Sequence, residues 1–404
     1  MLLACGGAPP GGSASTRAPG ATGDSDVASP TVDTVPAVTG DTSGPATGPG
    51  FEVASAAVAA NESPSLAVSA DGRILGVAWV QRDAQSYRAV WVALSDDGAS
   101  FSTPVRVSAA DEDVQANWPG GPSLVVDEDR VLVAWVGIER TTVTARVAEL
   151  ARDGVALVGD PMERAAVRMP AGFHSLTYPT LALDTSGSAW LAMVAAPSYV
   201  GRLWLAREER DWVVEDLTEG RPGEPPCECC PPALLVRERG EVVVAWRGDH
   251  RKEIYLATAS ATGPFSDGGA VTMSGVEGDL CPLDGPRLFE DADALGVVWS
   301  DTRGDDAQVF VSREDMDWAA EPALVDGAPM WRPALAGPAD ARAIAWEEGL
   351  YRPFRYTFVG SGTDRPLVGP GGPMYEVRAG TYDGRGLAVG VDGAGTLWAV
   401  PLTP

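Results

Sequence analysis

The sequence predicts an all-β fold assembled from one repeated unit, and three observations predict it. From Phe51 onward the chain returns six times to Pro-x-Leu, at Pro64-Ser65-Leu66, Pro122-Ser123-Leu124, Pro179-Thr180-Leu181, Pro232-Ala233-Leu234, Pro286-Arg287-Leu288 and Pro333-Ala334-Leu335. After each copy an apolar run ends at Trp79, Trp135, Met193, Trp246, Trp299 or Trp346, about 13 to 15 residues past the proline, the length of a two-stranded hairpin. The chain also combines 45% hydrophobic residues with only 21% charged ones and carries 47 Gly and 33 Pro. It therefore holds enough apolar surface for a large core and enough breakers for many turns. Short strands recurring at a period of about 50 residues make the blades of a β-propeller.

Taken in order, Pro-x-Leu opens the innermost strand of each unit and the run ending in Trp forms the second. A third strand follows, as in Ala89-Val90-Trp91-Val92, Arg202-Leu203-Trp204-Leu205, Glu253-Ile254-Tyr255-Leu256 and Gln308-Val309-Phe310-Val311. A shorter fourth comes next, as in Pro104-Val105-Arg106-Val107. Near the C-terminus, the run from Tyr375 through Gly386-Leu387-Ala388-Val389 to Thr396-Leu397-Trp398-Ala399-Val400 supplies only three strands. The segment 51–55 looks like an outer strand without a unit of its own, so it is expected to complete the last blade and close the ring without an open sheet edge. Seven four-stranded blades are favoured over six, the six-bladed reading surviving because the last unit lacks the repeat's Pro and Trp.

Charge narrows the partners. With 56 acidic against 30 basic side chains the net charge is -26, which repels phosphate backbones and excludes nucleic acid as a natural partner. The opening Met1-Leu2-Leu3-Ala4-Cys5 resembles the lipobox of bacterial lipoproteins. The resemblance implies that 1–5 is the remnant of a signal peptide, that Cys5 is lipidated, and that the protein is exported and anchored to the cell envelope, in the periplasm or at the cell surface. Residues 6–50 are Gly, Ala, Pro, Ser, Thr and Asp with hardly a large apolar side chain, a composition expected to form a stalk outside the propeller domain 51–404. A monomer that meets the membrane only through its lipid is expected.

At the turn between the third and fourth strands of the first unit stands Ser95-Asp96-Asp97-Gly98-Ala99-Ser100-Phe101. It resembles a shortened Asp-box, the turn of sialidases and related BNR-repeat propellers, in which Asp accepts backbone N–H bonds above a packed aromatic ring. Val297-Val298-Trp299-Ser300-Asp301-Thr302-Arg303 is similar to the blade language of the same family. The resemblance implies a sialidase-like scaffold. A working sialidase would add an Arg-Ile-Pro-like motif, an arginine triad, an Asp acid/base and a Tyr/Glu pair. None of these is placed here residue by residue, so hydrolysis is not expected, and an exo-acting glycoside hydrolase of the exo-α-sialidase type stands as the alternative.

The repeat register also organises scarce residues. Beyond Cys5 the cysteines are Cys227, Cys229, Cys230 and Cys281, and the histidines are His174 and His250 alone. His174, Cys227 and Cys281 each lie five residues before a repeat proline, at one structural position in three successive blades. His250, just after Trp246, lies on a loop joining second to third strand. Both kinds of loop open on the same face because alternate strand ends do, so all six residues are expected together near the channel mouth. Two readings remain open: disulfides, natural in an oxidising compartment, or a metal site for copper or zinc, which soft thiolate and imidazole donors suit.

Further groups belong to that face. Asp249, Asp301 and Glu347 are the candidate carboxylates for acid/base work, against the blander reading that they form loop hydrogen bonds and ion pairs. Arg247 and Arg303 are candidate ligand-binding arginines, and Trp118 and Trp331 are candidate stacking platforms for a sugar ring. The expected function is thus a sialidase-like envelope propeller binding a ligand or metal on its Cys/His face. A scaffold for another envelope protein is the third alternative, and carbohydrate or protein is the expected class of partner.

Overall fold

The computed structural model describes residues 50–403, apart from 56–59, 117–120, 140–141, 168–174, 197–200, 210–211, 220–223, 261–262, 267, 272–284, 292–293, 302–306, 320, 323–329, 339–340, 349–351 and 359–363. Every described sheet follows the repeat, and seven blades of four antiparallel strands form the propeller ring. Their inner strands are Ala60–Val68, Ser123–Val126, Ser175–Leu183, Ala233–Val236, Arg287–Asp291, Met330–Ala336 and Gly372–Tyr382, in blades 1 to 7 respectively.

The seventh blade settles the count. Gly372–Tyr382, Arg385–Asp392 and Leu397–Pro401 are its first three strands, and Phe51–Ala54 pairs outside them, Phe51 opposite Ala399 and Glu52 opposite Trp398. The N-terminal strand thus closes the ring, ending one residue earlier than the sequence suggested. Asn61 reinforces the closure from blade 1, its side-chain amide donating to Gly395 O at 2.7 Å and to Ala54 O at 3.2 Å.

The apolar runs are continuous rather than alternating because each second strand buries both of its faces. In Leu75–Arg82, Val77 and Trp79 pack toward blade 7, while Ala78 and Val80 pack toward blade 2. The same division recurs around the ring, one apolar layer between each pair of neighbouring blades. Near the axis the inner strands come very close. A Cβ on Gly121 would stand 2.6 Å from Ser63 O, and one on Gly285 would collide with Pro231 O, so these two positions accept nothing larger than glycine.

The turn 95–101 behaves as its composition requires. Asp97 accepts hydrogen bonds from Ala99 N at 2.7 Å and Ser100 N at 2.6 Å, and Ser95 Oγ accepts from Gly98 N at 2.9 Å. The bond from Ser100 N, then that from Ala99 N, holds the Asp97 carboxyl down at about 2. Gly98 takes the left-handed φ of 68° that the turn needs, and Phe101 packs beneath, against the layer between blades 7 and 1.

Candidate metal centre

The segment 224–230 leads into the inner strand of blade 4 and lies along the loop 247–252 that joins the second and third strands of that blade. Cys227 N donates to Arg247 O at 2.8 Å and Asp249 N to Pro225 O at 2.9 Å, with a bridge between Pro226 and Gly248. The Glu224 carboxylate accepts from His250 N at 3.1 Å and Arg251 N at 2.9 Å, and Trp246 Nε1 donates to Glu224 O at 3.2 Å. Both kinds of loop therefore do share a face in this blade, as strand alternation requires.

A tight turn, closed by Cys230 N donating to Cys227 O at 3.2 Å, folds the Cys-x-Cys-Cys segment back on itself. Pro231 and Pro232 then fix the backbone φ as the chain enters the sheet. The three sulfurs converge within 4.8 Å of one another, and the Cys227 and Cys229 Sγ atoms are 3.1 Å apart. Cys227 and Cys230 are buried and Cys229 is half-buried. Three sulfurs held about 2.3 Å from one ion stand about 4 Å apart, so the trio needs to open by less than 1 Å at its closest pair to take a metal. Beside it, burial pushes the Glu228 carboxyl up, and the negative charges of Cys227 and Asp249 push it the same way.

The other expected site residues are distributed as follows. His250 is exposed and stands outside the sulfur trio. Arg247 is wholly buried and donates to Lys252 O at 3.1 Å and to Ser300 O at 2.6 Å, tying the blade 4 loop to blade 5. Asp249 pairs with Lys252 at 3.5 Å. Asp301 is buried and accepts from Trp299 Nε1 at 3.4 Å, and Glu347 is buried against Arg332 at 2.8 Å. All three carboxylates thus hold structural partners. Trp331 is the second residue of the inner strand of blade 6, opposite Glu347. Cys5, Trp118, His174, Cys281 and Arg303 lie outside the described residues.

Sequence reasoning passed over a second charged group, where blades 6, 7 and 1 meet. Arg332, Glu376 and Ser63 occupy the same place in their blades, the bulged residue before the repeat proline or its counterpart Val377, and all three have left-handed φ values of 51–52°. Ser63 N donates to the Glu376 carboxylate, and Glu62 pairs with Arg88 at 2.6 Å. Loss of water pushes the Glu376 carboxyl up. Glu62 adds to the rise, while the Ser63 N–H, Arg378 and Arg332 pull it back without cancelling it. A register shift at this place is present in blades 1, 3, 6 and 7, and no residue pattern in the repeat marks it.

A raised carboxyl has a definite linkage. The folded state binds the Glu376 proton more tightly than the unfolded chain does, so this group's contribution to stability falls as pH rises above the ordinary value of 4.5. Glu376→Gln keeps an acceptor for Ser63 N and buries no charge. The variant is expected to melt above the wild type at neutral pH, with the two melting curves converging below about pH 4.5. Equal melting temperatures at every pH would show that the carboxyl is not desolvated.

Comparison with known proteins agrees with the architecture. No protein-family model and no curated protein matches the chain. Among solved structures, the Hadza microbial sialidase Hz136 superposes with a TM-score of 0.51 at 13% identity, covering 87% of this chain and 68% of that one. A Dyadobacter fermentans protein of unknown function gives 0.49 at 11%, covering 78% and 96%, and the Trypanosoma rangeli sialidase gives 0.45 at 10%, covering 77% and 57%. The likeness is one of fold. The sialidase-like propeller expected from the sequence is what the chain forms, and at such identities no activity transfers with it.

Proposed function

We propose that this protein is an exported propeller, held to the envelope by a lipid on Cys5 and a spacer formed by 6–50, that binds one soft metal ion, copper(I) or zinc, through Cys227, Cys229 and Cys230. The observation that carries this reading is the convergence of three sulfurs within 4.8 Å on one short turn. Thiolates select soft or borderline ions, and ligation protects thiols from an oxidising compartment. Cys281 and His174, which stand five residues before a repeat proline as Cys227 does, are the proposed sources of a fourth donor.

Full-length protein purified without oxygen is expected to carry close to one equivalent of copper or zinc by elemental analysis, and to show reactive thiols once a chelator has removed it. Metal-free protein with no titratable thiols would establish disulfides and end the metal reading. Sialoside hydrolysis in a fluorogenic assay would instead revive the enzymatic alternative.

A further inference from the structure

One side chain from each blade lines a cavity on the axis of the ring. It is the residue after each repeat proline, or after the counterpart Val377: Ser65, Ser123, Thr180, Ala233, Arg287, Ala334 and Arg378 in blades 1 to 7. The proline or valine before each of them is buried, while the two serines, Thr180 and both arginines keep part of their surface open. Alternation along the inner strand requires this of the side that faces the axis. The cavity has a volume of about 310 Å³ and also touches Gly121 and Pro231, so it lies toward the end of the channel where the cysteine-bearing loop enters.

The ring is divided by chemistry. In blades 2 and 3 short hydroxyls clasp the next blade, Ser123 Oγ accepting from Leu181 N at 3.0 Å and Thr180 Oγ1 donating to Pro232 O at 2.9 Å. Blades 4 and 6 contribute only a methyl group. Blades 5 and 7, on either side of blade 6, place a guanidinium there instead. Arg287 Nη1 donates to Gly285 O and Pro286 O at 3.2 and 3.0 Å, and Arg378 Nη1 to Val377 O at 3.4 Å. Bonds to the residues that open each strand turn both heads toward the cysteine-bearing end of the cavity.

Packing alone does not call for two arginines, since Ala and Ser fill the same place in other blades. Confining two like charges in one cavity costs free energy through repulsion and loss of water. The chain has 56 acidic against 30 basic side chains, yet Arg287 and Arg378 are the sole charged side chains among the described residues that line this cavity. Glu376, close enough to Arg378 for each to feel the other's charge, accepts from Ser63 N, and burial pushes its carboxyl up. An anion on the axis would offset the repulsion. A guanidinium is a planar fork that meets an oxyanion two bonds at a time, and the Ser123 hydroxyl can turn its hydrogen inward. The volume falls at the small end of ligand sites, which suits a small anion.

We propose that the axial cavity binds one small inorganic oxyanion, phosphate or sulfate, between the guanidiniums of Arg287 and Arg378, with the Ser123 hydroxyl as a further donor. Calorimetric titration of the full chain with phosphate, sulfate and N-acetylneuraminate at fixed low ionic strength tests this, on protein as purified and again after metal removal. Phosphate or sulfate is expected to bind with a Kd in the millimolar range or below in both preparations and to raise the melting temperature. Arg287→Gln and Arg378→Gln should each weaken binding about tenfold to a hundredfold. Arg378→Lys, which keeps the charge and loses the fork, should fall between wild type and Arg378→Gln. Selenate, a heavier relative of sulfate, should give an anomalous diffraction peak on the channel axis between the two arginines of the wild type, a readout that holds even where a variant fails to fold. The proposal is overturned if neither oxyanion binds, if binding disappears with the metal, if both Gln variants bind as the wild type does, if N-acetylneuraminate binds more tightly than both oxyanions, or if selenate sits elsewhere.

Discussion

Cys229→Ser is expected to lower metal affinity by at least about a hundredfold, since even residues that only orient a ligand are worth 10–100-fold and Cys229 would be a ligand itself. Its effect should exceed that of any surface substitution on the same face. In the wild type, metal at a hundred times its Kd is expected to add about 2.7 kcal/mol to folding stability by mass action, a gain that Cys227→Ser and Cys229→Ser should both abolish. Affinity should also fall with pH, because each bound thiolate must first release a proton. A metal-dependent rise in melting temperature that survives in both variants would place the ion elsewhere. The close Cys227–Cys229 approach of 3.1 Å gives the experiment a second readout: oxidised protein should lose two titratable thiols together with its metal.

Glu347→Ala is expected to destabilise the fold by about 3–5 kcal/mol, the cost of stripping the partner from a buried ion. Glu347 and Arg332 are 2% and 1% exposed, and they meet at 2.8 Å. Arg332 is held in the interior by the packing around it, so the guanidinium left behind stays out of water. Equilibrium unfolding in denaturant measures the difference. A loss below about 1 kcal/mol would mean that the pair is solvated like a surface ion pair. The result also separates two roles for Glu347: a carboxylate held for chemistry would lose activity on substitution while leaving stability nearly intact.

Much of the architecture was legible because a propeller writes its plan locally. Pro-x-Leu and the apolar run after it recur in six of the seven units, each strand carries its own apolar pattern, and the orphan strand Phe51–Ala54 stands before the first repeat with no partner nearby in sequence. The blade count was the part in doubt, since Val377 replaces the repeat proline in the last blade. The pairing of Phe51 with Ala399 resolves it. For the site, register correctly laid the loops of Cys227 and His250 side by side, because loop faces follow from strand alternation alone. It could not say which side chains converge. The trio of Cys227, Cys229 and Cys230 arises from a turn four residues long, whereas His250, on the facing loop, points to water.

What the sequence determined by itself was therefore the repeat, its strands and the face on which each loop opens, all properties of residues a few to about fifty positions apart. Only the tertiary structure decided the contacts made by closing the ring. Ser63 meets Glu376 across 313 positions of chain, Asn61 meets Gly395 across 334, and the Trp79 indole is buried by a strand that begins at Phe51 and belongs to the last blade. No pattern within one unit encodes such meetings, because they exist only once seven units have curved far enough for the first to pack against the seventh.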